Sequence, residues 1–117
     1  MECITWFAPI LPGKLEAWKA FDDEAKGPRW AEHDRSRKRM GVVREVASLM
    51  QTPEGDFVCL FQEAKDLAKA FQGLAQSDDP YDVWFRERIM DVHGLTQEML
   101  EGPPPATVTF DYHNDEG

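Results

Sequence analysis

The chain has 117 residues, which fits one domain with a modest core. Its 22 acidic and 13 basic residues give a net charge of −9, which disfavours binding to phosphate backbones. We therefore expect no binding to nucleic acid. No apolar run approaches the roughly 18 residues of a membrane span, so we expect no membrane binding either. The N-terminus lacks the features of a signal peptide and the two cysteines suggest no disulfide framework, so we expect a cytoplasmic protein.

The first third of the chain predicts a strand followed by helical segments. Cys3–Ile10 is apolar on both faces and is interpreted as a strand that is brought to an end by Pro9, Pro12 and Gly13. Lys14–Lys26 has large apolar residues at three- and four-residue steps, which is typical of an amphipathic helix. Gly27 and the proline after it interrupt this pattern, so Arg29–Met40 is either a second helix or the continuation of a kinked one.

The middle of the chain predicts a β-hairpin around which the domain is organised. Val42–Gln51 is a mixed strand in which Arg44 and Glu45 point to opposite faces. Phe57–Phe61 is continuously apolar, which indicates a strand buried on both faces. The intervening Thr52–Asp56 contains a proline and a glycine, the residues that favour a tight turn.

Two helices are predicted after the hairpin. Ala64–Gln76 has a buried stripe of leucine, alanine and phenylalanine. The next helix opens at Pro80 with Asp78 or Asp79 as its N-cap. Gly94 ends that helix.

The C-terminal part predicts a final strand. Thr96–Glu101 is interpreted as a short helical turn, followed by a glycine and three prolines. Ala106–Tyr112 alternates between apolar and polar residues, as an edge strand does. We therefore predict a single domain over residues 1–112 and a flexible polar tail over residues 113–117.

The order of these elements is that of a split βαβ unit. It predicts an α+β, ferredoxin-like βαββαβ fold, with a four-stranded antiparallel sheet, helices on one face and extra helices in the crossovers. The other sheet face would stay bare although its strands are apolar on both sides. We therefore expect a homodimer that forms through this sheet face.

The element order, the hairpin and the run SDDPYDVWFRERIMDVHG at Ser77–Gly94 resemble small proteins of the dimeric α+β barrel superfamily. That group includes cofactor-free monooxygenases of antibiotic biosynthesis, polyketide cyclases, muconolactone isomerase-like proteins and haem-degrading monooxygenases. Our first hypothesis is a pocket between sheet and helices for a hydrophobic small molecule, with oxygenation, isomerisation or cyclisation as its chemistry and no tightly bound cofactor. The alternative is a non-catalytic ligand-binding or accessory protein of the same fold. Haem binding is a third hypothesis.

His33 is the leading candidate for a general acid or base. It shares a helical face with Trp30, Asp34 and Arg37, and a carboxylate neighbour can turn a histidine into a base. Trp30 and Arg37 would then contact the substrate. The alternative is a structural or interface histidine.

Three further residues complete the candidate site. His93 precedes a helix-ending glycine, so it either caps the helix carbonyls or acts as an acid/base or haem ligand. Glu45 interrupts an apolar strand and marks either a pocket or an internal ion pair. Trp84 either lines an aromatic-substrate cavity or belongs to the core. No cluster has metal-ligand spacing, so we expect no bound metal or other cofactor.

Overall fold

The computed structural model describes residues 1–114, which fold into three strands and five helices. In chain order the elements are β1 (Glu2–Ile10), α1 (Leu15–Lys26), α2 (Trp30–Met40), β2 (Val42–Thr52), β3 (Gly55–Ala64), α3 (Leu67–Gln76), α4 (Pro80–His93) and α5 (Gln97–Glu101). The three strands form one antiparallel sheet in the order β1-β3-β2. The predicted α+β class is confirmed.

The hairpin forms as predicted, with longer strands than the sequence indicated. Thr52 pairs with Gly55, and the Thr52 hydroxyl donates to the Gly55 carbonyl at 2.8 Å. The backbone N–H of Glu54 donates to the same hydroxyl. Gly55 has φ 136°, a conformation that L side chains rarely adopt, which explains the glycine at this position.

The segment between β1 and β2 contains two helices and not one kinked helix. α1 ends at Gly27, and α2 ends at Gly41, whose φ of 77° is typical of a left-handed C-cap. β1 ends at Ile10, as predicted, and Pro9 lies within it. In the described sheet β1 is an edge strand, where a missing N–H removes no ladder bond.

The helices after the hairpin begin at aspartate caps. The Asp66 carboxylate accepts from the Lys69 N–H and caps α3, so Ala64 belongs to β3 and not to this helix. Asp79 accepts from the Tyr81 N–H and caps α4, with proline at the first helical position.

A β-bulge in β2 decides which side chains face the helices. Val42 pairs with Ala64 and Arg44 pairs with Glu63, so Val43 is the extra residue between them. The bulge shifts the alternation by one residue. Glu45 therefore points towards the helices although an uninterrupted strand beginning at Val42 would have turned it away.

The core lies between the inner face of the sheet and the helices. One cluster joins β1 and β3 to α1 and α4, and a second joins the opposite ends of the same strands to α3. The buried core side chains that the sheet contributes are Ile4, Ala8, Ile10, Val58 and Ala64. None of the described helices packs against the outer face of the sheet.

The predicted fourth strand is absent from the described residues. Ala106–Tyr112 has no ladder partner, and the described sheet has three strands where the ferredoxin-like prediction needs four. Only Ala106 packs against the core, and the residues after it are exposed. Alternation of apolar and polar residues shows that this segment would suit a strand with one exposed face. It does not show that a strand edge is available for the segment to pair with. Of the predicted tail, residues 115–117 lie outside the described residues.

A search of the described residues finds no helix whose length and apolar character would let it cross a bilayer.

Candidate functional site

The strongest polar cluster joins α2, β2 and α4 beneath the helices. His33 Nε2 lies 2.7 Å from Glu45 Oε1, and His33 Nδ1 lies 2.6 Å from the Tyr81 hydroxyl. Arg37 Nε donates to the same Glu45 oxygen at 2.9 Å. The structure thus brings together three of the residues predicted from sequence, His33, Glu45 and Arg37, and adds Tyr81.

These contacts fix the tautomer of the neutral His33 ring. A carboxylate can only accept, so Nε2 bears the hydrogen and donates to Glu45. Nδ1 then accepts from the Tyr81 hydroxyl. Burial raises the pKa of Tyr81 to about 12, so this hydroxyl keeps its proton. Both ring nitrogens of His33 are occupied by protein partners.

Glu45 is an ionised, mostly buried carboxylate. Burial alone would raise its pKa, but the hydrogen bond from His33 and the charge of Arg37 lower the pKa of Glu45 to about 2. Arg37 is itself buried, and its guanidinium lies 4.3 Å from the centroid of the Phe85 ring. The cluster is therefore a paired charge that ties α2 to β2.

A second polar cluster continues from the first along α2. Arg37 Nη1 donates to Ser36 Oγ at 3.0 Å, and Ser36 donates to the fully buried Asp82. Asp82 also accepts from Ser77 at 2.6 Å and from Arg39 at 3.0 Å. Burial would raise the pKa of Asp82, but these three donors lower it. Among the described residues no buried side-chain polar atom lacks a hydrogen-bond partner.

Of the predicted substrate-binding residues, Trp30 contacts His33 directly, whereas Trp84 contacts Tyr81 and packs against the core. The Trp30 ring stacks on the His33 ring with centroids 5.9 Å apart, and Trp30 stays 57% exposed. Trp84 packs against Tyr81, and the Arg29 guanidinium covers it at 4.3 Å.

Asp34 and His93 do not join the His33 cluster. Asp34 pairs with Lys38 on the surface, so the carboxylate beside His33 comes from β2 and not from α2. His93 Nδ1 donates to the Pro9 carbonyl at 2.7 Å and connects the end of α4 to β1. Burial lowers the pKa of His93. This geometry makes His93 a structural donor between two elements.

None of the six predicted site residues lines either of two clefts formed by the described residues. The smaller, of about 200 Å³, lies among α2, α3 and the start of α4 and includes Arg39, Lys69 and Asp82. The larger, of about 780 Å³, is an open groove on the sheet. Its lining residues are Thr5, Trp6, Phe7, Val46, Ser48, Cys59, Leu60, Phe61, Pro105 and Ala106.

The outer face around this groove is apolar. Phe7 is 62% exposed and packs edge-on against Phe57 at 5.5 Å, while Val46 and Met50 are 40% and 42% exposed. The groove lining contains no carboxylate, imidazole or amine. Its polar side-chain groups are the hydroxyls of Thr5 and Ser48, the Cys59 thiol and the Trp6 indole N–H, and the last donates to Gln62.

Sequence reasoning missed Tyr81, Ser36 and Asp82 as members of the polar clusters. The sequence contains one signal for this cluster. Ser36 and Arg37 follow His33 by three and four residues, which places these polar side chains on the buried face of α2.

The described residues contain no group of three or more histidine, cysteine and acidic side chains that could hold a metal ion. Cys3 and Cys59 are both free thiols.

Comparisons with known proteins give one match. No curated protein and no solved structure shows significant similarity to the chain. Residues 1–104 match a family described as "Family of unknown function (DUF6176)". The match covers most of the sequence and all eight elements of the fold, and the chain belongs to this family.

Proposed function

We propose that two copies of this chain associate through the outer faces of their sheets and bind an apolar small molecule in the groove between them. The observation that carries this proposal is the groove of about 780 Å³ on a sheet face without helices. Its volume falls within the range of roughly 300 to 1,000 Å³ that is typical of small-molecule sites.

The exposed apolar surface supports association through this face. Phe7, Val46 and Met50 lie on it at 40% exposure or more, and contiguous patches of this kind mark interaction sites. The face is also poor in charge, with Arg44 and Glu63 opposite each other in register at one end. The repulsion between two copies of net charge −9 is therefore weakest here.

The lining supports binding without catalysis. A proton-transfer site needs a titratable group within hydrogen-bond reach of the ligand. The groove offers neither a carboxylate nor an imidazole; its polar groups are hydroxyls, an indole N–H and the Cys59 thiol, among aromatic and aliphatic side chains. The ligand class is accordingly a neutral, aromatic or aliphatic molecule, and the role is that of a ligand-binding or accessory protein. The cytoplasm, where both thiols stay reduced, is the proposed location.

The test is a titration with Nile red, a neutral apolar fluorophore that avoids the protein's negative charge. Val46→Lys places an ammonium in the groove and should weaken the affinity at least tenfold, because burying an unpaired charge is costly. Val43→Lys is the matched control: the residue is of the same type on the same strand, is 52% exposed, and does not line the groove. Equal affinities for the two variants would refute the groove as the binding site.

A second candidate function is acid/base catalysis at His33, with the isomerisation, cyclisation or oxygenation that the family resemblance implies. The arrangement of Glu45, His33 and Tyr81 favours it, since a carboxylate orients the imidazole. A substrate would have to displace the Tyr81 hydroxyl to reach Nδ1. His33→Ala distinguishes the roles. A catalytic histidine leaves the unfolding free energy nearly unchanged, whereas a structural one lowers it by about 2–4 kcal/mol, because Tyr81 and Glu45 lose their partner.

A further inference from the structure

The segment Ala106–Tyr112, called the arm below, exposes three large side chains on one face. Val108 is exposed at 40%, Phe110 at 85% and Tyr112 at 72%. The segment is neither helix nor strand and has no ladder partner among the described residues. Aromatic side chains of this size dominate the energetics of interfaces when they are buried. The arm therefore presents an interface surface that its own chain does not cover.

Charge disfavours docking of the arm on its own sheet edge. At this edge the arm has a weak, exposed contact, a hydrogen bond of 3.6 Å that Cys3 Sγ on β1 donates to the Asp111 carboxylate. Cys3 pairs in register with Glu63, so the arm brings a second carboxylate to a strand pair that already has one. In sequence the arm is followed by two more acidic residues.

The complementary surface lies on the outer face at β2. Arg44 stands there with its guanidinium 5.8 Å from the Phe61 ring centroid. Glu63 lies opposite Arg44 in register on β3, but no ion pair joins these two side chains among the described residues. Val46 and Phe61, which follow Arg44 across the face, line the groove. One cation beside an apolar groove matches an arm that is both aromatic and acidic.

We propose that the arm of each copy crosses to the second copy and covers the groove on that copy's outer sheet face, with Phe110 and Tyr112 on the apolar lining and the arm's negative charge near Arg44. The base of the arm supports this path, because Pro105 and Ala106 already form part of the groove wall. The binding site then contains residues from both chains. This inference rests on the proposed dimer.

The first test is sedimentation equilibrium. A chain that ends at Ala106 keeps that residue's core contact but loses the arm. This truncation and the double variant Phe110→Ser/Tyr112→Ser should raise the dimer dissociation constant at least about tenfold. Thr107→Ser/Thr109→Ser, on the opposite face of the arm, should leave it unchanged. A monomeric wild-type protein would overturn the proposed dimer and the arm together, whereas wild-type affinity in both arm variants would overturn the arm alone.

The second test asks which chain the arm touches. A photoreactive benzoylphenylalanine in place of Phe110 should give a covalent dimer on irradiation, with the cross-link mapped to the outer face of β2 or β3. Cross-links confined to single chains would overturn the exchange.

Discussion

Replacing Glu45 by glutamine should destabilise the fold and remove part of its acid sensitivity. Glu45 Oε1 accepts from both His33 and Arg37 in a site where Arg37 is only 10% exposed. The amide keeps the size and an acceptor oxygen but loses the charge. Arg37 is then left as a partly buried cation without its carboxylate.

The magnitude follows from the pKa. A fall from 4.5 to about 2 means that the folded state favours the ionised Glu45 by about 3 kcal/mol. Because the folded pKa is the lower one, this stability is fully present above the unfolded value of 4.5 and is lost as the pH falls towards 2. We therefore expect Glu45→Gln to cost about 2–3 kcal/mol at pH 7 and almost nothing at pH 2.

The assay is urea unfolding from pH 7 to pH 2 at one fixed protein concentration, because the stability of a dimer depends on concentration. Asp34→Asn is the matched control, since Asp34 forms an exposed pair with Lys38 and should cost about 1 kcal/mol or less. The reasoning is refuted if Glu45→Gln and Asp34→Asn have the same unfolding free energy at pH 7, or if the Glu45→Gln deficit is independent of pH.

Three smaller predictions address single contacts. Tyr81→Phe removes the hydroxyl that donates to His33 and should lower the unfolding free energy by about 1–2 kcal/mol, measured by urea titration. Gly94 and Gly13 both have positive φ, but a Cβ at Gly94 would meet a leucine side chain at 3.3 Å while Gly13 has open space, so in calorimetry Gly94→Ala should lower the melting temperature more than Gly13→Ala. His93 is buried with a lowered pKa, so the folded state loses stability as the pH falls below 6.5; His93→Gln keeps a donor and should flatten the stability profile in the range just below pH 6.5.

The sequence predicted those parts of the fold that depend on local signals. The helix cap at Asp79, the glycine at the end of α4 and the proline–glycine hairpin turn each act within a few residues, and all three appear in the structure. The apolar outer face could also be predicted, because Phe57–Phe61 does not alternate. A strand that is apolar on both sides has an apolar outer face whichever side the helices pack against.

Features that depend on long-range pairing could not be predicted. The bulge at Val43 reverses the alternation that a straight strand would have, and a bulge has no fixed sequence signature. The Ser36–Asp82 bond joins residues 46 positions apart on two helices. Ala106–Tyr112 has the pattern of a strand, but a strand also needs an edge that will accept it. For the candidate site, the helical spacing predicted that His33 and Arg37 lie together. The position of Tyr81 beside His33 could not be predicted, because it depends on how α4 packs against α2.

The two faces of the sheet differ in the side chains that they present. The inner face holds charged groups that are paired with one another, and those pairs connect β2 to α2 and α4. The outer face has apolar groups that no described element covers. The ion pairs and hydrogen bonds of the inner face stabilise the fold, and the outer face is the surface on which binding is proposed.

Sedimentation velocity recorded at the absorbance of bound Nile red tests the proposed function most directly, because it reports ligand and assembly together. The proposal predicts that the dye sediments with a species of about twice the 13.4 kDa chain mass, and that Val46→Lys abolishes this co-sedimentation. Dye that sediments with single chains, or that binds Val46→Lys as well as the wild type, would contradict a shared apolar site between two copies.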